Sequence, residues 1–229
     1  MVSTEIVQRR RISVNTLTEH HRSSKNRRYE MSKRTEQISG THQRIVDAAV
    51  TLHGSIGPAR TTIAGIAEKA GVTRLTVYRH FPDDEALFSA CSSHWLSQQQ
   101  LPDPTAWSGQ ADALERVTVG LSDLYRFYRD GEAMLTRIYA DWNALPEAHR
   151  GDLESRNAFF RDVLLEPFPE SSRSGRLLAT LSHAVSFWTW RSLCHDNGLS
   201  NHDAVEIMSK LITTTAEARG AVGTSRQQV

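Results

Sequence analysis

From Thr41 onward the apolar positions Ile45, Ala49, Leu52 and Ile56 recur every three to four residues, the spacing of one helix face, with Thr41 in place as a cap. Gly54, Gly57 and Pro58 are expected to stop this first helix, because glycine and proline weaken helix interiors and proline disfavours helical geometry just before it. A second helix restarts at Thr61 or Thr62, with Ile63, Ile66, Ala67 and Ala70 turned inward and Gly71 at its end. Thr73 follows almost at once as the start of a short third helix, which runs to about Phe81 and is closed by Pro82. Helices joined by so short a turn meet at a steep angle, which is the geometry of a helix-turn-helix. Asp83 or Asp84 caps a fourth helix through Ala86, Leu87 and Cys91, which links this unit to the rest of the chain.

Past the break Leu101-Pro102-Asp103-Pro104 every strong segment is again helical in period, and no alternating β-branched run competes. Leu114, Val117, Leu121, Leu124, Tyr125 and Tyr128 form one stripe; Met134, Leu135, Ile138, Tyr139 and Trp142 form another after Gly131. Pro146 opens a further segment that ends near Pro167. Two final helices are expected, one carrying Leu177, Leu181, Ala184, Val185 and Trp188, the other Ala204, Ile207, Met208 and Leu211, with Asn197-Gly198 turning between them. The fold class is therefore all-α: a three-helix helix-turn-helix unit over residues 41–87, then a larger helical domain over 88–219. Residues 220–229 read as a flexible tail.

The charge pattern adds an arm. Residues 1–34 hold nine Lys or Arg against three Glu, a net +6, so the remainder carries −5 within the total of +1. A basic segment over 1–40 ahead of a mildly acidic body suits phosphate contacts at one end, and equally suits a solvated, disordered lead. Met31 is an alternative point of translation start, which would leave residues 1–30 outside the natural protein. Neither the arginine-rich amino terminus nor any later window offers the run of about 20 apolar residues a membrane span needs. A cytoplasmic protein without membrane association is expected. Cys91 and Cys194 are too few and too far apart for a disulfide framework or a metal ribbon, and the ten histidines form no His-x-x-x-His pair with carboxylate support. No metal and no cofactor are expected. No acid and base, and no nucleophile with its base, stand at a spacing that would make an enzyme of this chain.

The ordered set Ile66-Ala67, Ala70-Gly71-Val72, Thr76-Val77-Tyr78-x-His80-Phe81 and Glu85-Ala86-Leu87 closely resembles the amino-terminal DNA-binding domain of the TetR family of bacterial transcriptional regulators. The resemblance of the body is looser, resting on length, helical character and two terminal helices. It implies a body that binds a small-molecule effector and dimerises, and a protein that acts as a repressor released from DNA by that effector. A helical DNA-binding protein with no effector is the alternative.

The residues agree on their own account. A helix that enters the major groove needs short polar groups and a cation or two outward, and an apolar face inward. Thr73, Arg74, Leu75, Thr76, Tyr78, Arg79 and His80 supply the outward set; Val72, Val77 and Phe81 the inward one. Arg74 is the expected base reader, because a guanidinium can bond a guanine edge through two hydrogens. Thr62, Thr73, Thr76 and His80 suit phosphate or sugar contacts that fix register. Leu75 either touches a base methyl or packs; Tyr78 is either a DNA contact or a core aromatic with its hydroxyl at the rim. Asp84 stands where the family often has a phosphate-holding lysine, which weakens that clamp and leaves the arm, Arg44 or Lys69 to compensate. One short recognition helix reads few base pairs, so a homodimer on a pseudo-palindromic, double-stranded operator is expected, paired through the last two helices. For the effector pocket the candidates are Tyr125, Tyr128, Trp142, Phe159 and Trp188, with Trp95 and Phe160 also aromatic and near helical stripes.

Overall fold

The computed structural model describes Lys33 and residues 36–218; the basic lead through residue 32 and the tail over 220–229 lie outside the described residues. All regular structure among the described residues is helical. Helix α1 spans residues 36–56, followed by a 3-10 turn at Pro58–Arg60, then α2 (Ile63–Ala70), α3 (Arg74–His80) and α4 (Asp84–Ser97). The body is α5 (Pro104–Ser108), α6 (Ala113–Asp130), α7 (Glu132–Ala140), α8 (Glu147–Leu165), α9 (Gly175–Ala184), α10 (Phe187–Trp190) and α11 (Asn201–Glu217).

Two expectations for α1 are corrected. The helix is already formed at residue 36, so Thr41 lies inside it rather than capping it, and its hydroxyl accepts a bond from Arg44 Nη2 at 3.3 Å. Gly54 is likewise inside, and the chain turns only at Gly57, whose φ of 84° opens the following 3-10 turn. A single glycine costs a helix only about 1 kcal/mol, which packing against the rest of the molecule overrides.

The helix-turn-helix is built from local chemistry that the sequence announces. Thr62 accepts from Gly65 N at 3.0 Å to cap α2. Gly71 takes the left-handed conformation (φ 65°), and its N–H and that of Val72 close back onto Glu68 O and Ala67 O, so α2 ends sharply. Thr73 then accepts from Thr76 N to start α3, and Asp83 accepts from Ala86 N at 2.7 Å to start α4. Ile45, Ala49, Ile66, Ala67, Val77, Phe81, Leu87 and Cys91 interlock as one apolar core beneath these helices. Further along α4, Trp95 and Leu96 pack against the separate core of the body. The boundary expected at residue 87 thus falls within a helix that both cores share.

In the body α6 is central, packed against α5, α8, α10 and α11. Its inner face, Leu121, Leu124, Tyr125 and Tyr128, is fully buried. Trp107 Nε1 donates to Asp123 Oδ2 at 2.9 Å and pins α5 to α6. The buried Arg116 guanidinium donates to Gln110 O, Ser108 O and Val163 O and pairs with Glu166, tying α6 to α8.

The penultimate helix differs from the single element expected. Regular α-helix ends at Ala184, restarts at Phe187, and then widens into a π-helical segment over Arg191–Asp196. No Pro or Gly marks the break. Side chains hold it instead: Thr189 Oγ1 donates to His183 O at 2.6 Å, Tyr125 Oη to Ala184 O at 2.9 Å, and Tyr128 Oη to Val185 O at 2.6 Å. Three carbonyls around the end of α9 thereby gain side-chain donors inside the core, where an unpaired carbonyl would be costly.

Candidate nucleic-acid interface and cavity

Helix α3 is short and sharply divided. Val77 is fully buried, and Phe81 just beyond its end is nearly so, while on the other side Leu75 is 71% exposed and Tyr78 53% exposed. That exposure decides one alternative: Tyr78 is not a core aromatic. Arg74 and Arg79 are exposed and, among the described residues, make no ion pair or hydrogen bond, so both guanidiniums are available to an external acceptor. No carboxylate lies on α3. At about 1.5 Å per residue, its seven residues form a rod about 10 Å long, packed against α2 and matched to a major groove about 12 Å wide.

The threonines have structural duties as well. Thr62 and Thr73 spend a lone pair on caps, and Thr73 Oγ1 and Thr76 Oγ1 share a hydrogen bond of 2.9 Å at the start of α3. Each hydroxyl has further bonding capacity, so a cap and a phosphate contact are compatible. His80 is half-buried, with its ring edge-on to His42 of α1 at 6.0 Å. Partial burial, then the nearness of His42 and Arg79, lowers its pKa, which favours the neutral ring. Asp84 is the first residue of α4, exposed and without an ion-pair partner among the described residues; Asp83, not Asp84, makes the cap. Arg44 and Lys69 are both exposed.

The five aromatic candidates for a pocket are not brought together around one. Tyr125 and Tyr128 are fully buried, with hydroxyls committed to the Ala184 and Val185 carbonyls. Trp142 stacks on Tyr139 at 6.2 Å, while Phe159 and Trp188 are about half exposed. A cavity of about 270 Å³ lies elsewhere: between Val50 and His53 of α1, Phe88 and Trp95 of α4, Met134 and Ile138 of α7, and His149 and Arg156 of α8. Of the aromatics singled out in the sequence, only Trp95 lines it. Its walls come from both cores, so it sits where the helix-turn-helix meets the body.

Three rings bridge this junction: His53 faces Phe88 at 5.2 Å, and Phe88 meets His149 edge-on at 4.6 Å. Burial lowers the His53 pKa from its ordinary value to about 4, so the ring is neutral at physiological pH. A second contact between the two parts is made where Asp141 accepts from Ala59 N at 3.0 Å and stands against Gly57. Sequence reasoning missed both, because the participants lie on segments far apart in the chain.

A further group of ligand-type side chains, His202, Asp203 and Glu206, is exposed at the start of α11. These side chains serve the helix itself, with Asp203 bonded to the Ser200 cap and Glu206 to Lys210.

Comparison with known proteins places the helix-turn-helix. Residues 45–91 match the family model described as bacterial regulatory proteins, tetR family. The chain is similar to the HTH-type transcriptional regulator AcrR of Shigella flexneri, 42% identical over 60 residues, covering 26% of this chain and 28% of that protein. It is similar also to the HTH-type transcriptional regulator TtgR of Pseudomonas putida, 44% identical over 61 residues, 26% of this chain and 29% of that one. These alignments span less than a third of the relatives' own lengths. In overall architecture the chain resembles a solved Clostridium perfringens protein named as a candidate fatty acid metabolism regulator. The TM-score is 0.51 at 17% identity, covering 74% of this chain and 96% of that one.

Proposed function

We propose that the chain is, through its amino-terminal domain, a member of the TetR family of bacterial transcriptional regulators, and that it acts as a cytoplasmic, ligand-responsive repressor that binds a pseudo-palindromic operator as a homodimer. The observation that carries this is the outward face of α3: two guanidiniums without a partner among the described residues, flanking a protruding Leu75 and Tyr78, on a helix held by caps at both ends of its turn. Arg74 reads a base edge. Arg79, Thr62, Thr73, Thr76 and His80 fix the helix against phosphate and sugar, and Leu75 and Tyr78 add apolar contact.

Dimerisation runs through the last two helical segments of the body. Leu178, Trp188, Ile207 and Leu211 leave apolar surface exposed on α9, α10 and α11, more than a solvated helix pair needs. The effector occupies the 270 Å³ cavity. That position gives it leverage, because α4 contributes Leu87 and Cys91 to the reading core and Trp95 to the body's core. A molecule inserted between α4 and α7–α8 displaces the Phe88 contact with His149 and moves α4, and with it the spacing of the two α3 helices across the dimer. A ligand shifts such an equilibrium only by its difference in affinity for the two arrangements, and the cavity supplies that difference.

The test is selection of bound fragments from random duplex DNA by the full chain, followed by a mobility shift across a salt series. A two-fold symmetric site with half-sites about one helical turn apart is expected, with affinity falling steeply as salt rises. Absence of any selected site overturns the proposal.

A further inference from the structure

Resting on the effector reading above, the cavity also indicates what kind of molecule it takes. His149, Asp152, Leu153 and Arg156 lie at helical spacing along one face of α8, and with His53 of α1 and Ser89, Ser92 and Ser93 of α4 they border a cavity whose remaining lining is apolar. Across from α8 are Phe88, Trp95, Met134 and Ile138.

Among the arginines of the body, Arg116, Arg126, Arg129, Arg161 and Arg191 each pair with a carboxylate, whereas Arg137, Arg150 and Arg173 make no ion pair among the described residues, and Arg150 and Arg173 donate to backbone carbonyls. Arg156 is set apart by a buried donor with no partner. It pairs with no carboxylate among the described residues; its Nη2 donates to two neutral oxygens, Tyr139 Oη at 2.7 Å and Asn157 Oδ1 at 3.4 Å. The face of the guanidinium looks on the Phe160 ring at 5.9 Å, which is also neutral. Its Nε is buried with no partner, and so is His149 Nδ1; apart from Ser209 Oγ in α11, these are the buried side-chain polar atoms left unsatisfied among the described residues. A half-buried cation with an unused donor, in the wall of a mostly apolar cavity, lacks the anion that such a group ordinarily has.

We propose that the effector is a small lipophilic carboxylate, its apolar part filling the space among Phe88, Trp95, Met134 and Ile138 and its charged end bonded to Arg156. Asp152 is the competing feature, since a carboxylate at the rim favours a cation. It is exposed and solvated, so leaving it unpaired costs little, whereas the Arg156 donor is buried and gains most from a partner. The volume, at roughly 30 Å³ for each water-sized group, holds on the order of ten heavy atoms, the size of a medium-chain acid.

The experiment uses calorimetry on the full chain with decanoate, decanol and decylamine, three probes of one length and three charges, followed by each probe in a mobility shift on the selected operator. Decanoate is expected to bind roughly 10- to 100-fold tighter than decanol, the range of a charge-assisted bond. Arg156→Gln should abolish that preference, weakening decanoate binding far more than decanol binding, and Arg156→Lys should keep part of it. Equal binding of acid and alcohol, tighter binding of the amine, or no binding by any probe overturns the proposal; the comparison in the unaltered protein decides even if a variant does not fold. Tight, Arg156-dependent acid binding that leaves the DNA complex intact keeps the ligand class and overturns the release mechanism instead. Release by decanol or decylamine in preference to decanoate does the reverse.

Discussion

Lowering the pH should loosen the junction between the reading head and the body through one residue. His53 is 8% exposed, its ring lies against Phe88, and burial lowers its pKa from 6.5 to about 4. In the unfolded chain the ring regains the ordinary value, so between pH 6.5 and 4 the unfolded state binds more protons and stability rises with pH. The contribution is intact above the unfolded pKa and is lost as the pH falls toward the folded one. A difference of about 2.5 pH units corresponds to about 3 kcal/mol in full, of which about 2 kcal/mol lies between about pH 7 and pH 5. The check is urea denaturation of the protein and of His53→Leu at both pH values. Other titrating groups are common to the two proteins and cancel, so the variant should lose about 2 kcal/mol less than the natural sequence on acidification. Parallel losses would refute the assignment of a buried, neutral imidazole at this site.

Replacing Gly57 by Ala sets a Cβ against the Asp141 carboxylate at a φ of 84°, and should lower the midpoint of thermal unfolding by an amount equivalent to about 1 to 3 kcal/mol. Arg116→Met strips the donors from Gln110 O, Ser108 O and Val163 O, and denaturant titration should show a loss of about 1 to 3 kcal/mol with DNA affinity unchanged under conditions where the variant is folded. Leu211→Glu places a charge on the exposed apolar face of α11, and light scattering should show a shift from dimer toward monomer if the last helices form the interface.

The helix-turn-helix was legible because its determinants are local. Thr62, Gly71, Thr73 and Asp83 act within three or four residues of themselves, and each occupies the place the sequence reading assigns or allows. The error at Thr41 has the same origin in reverse: a good capping residue does not start a helix when the preceding residues also favour one. In the body, period alone marks an inner face without saying what it meets. Tyr125 and Tyr128 are on the stripe expected of them, but neighbours fill the space before them and their hydroxyls close a broken helix. The break after Ala184 carries no Pro or Gly, because side chains from α6 and α10 stabilise it. The cavity was hidden for a related reason. His53, Phe88, Met134 and Arg156 belong to four helices, and a gap between helices is a property of how they meet, which no single stripe records.

The outward face of α3 is the centre of the account, and one comparison tests it most directly: affinity of the full chain and of Arg74→Ala for the selected operator and for unrelated duplex DNA, each at several salt concentrations. Arg74→Ala is expected to cost about 1 to 3 kcal/mol on the operator and to relax base preference at one position per half-site, with much smaller loss on unrelated DNA. Equal affinity and equal base preference in the two proteins would contradict the account.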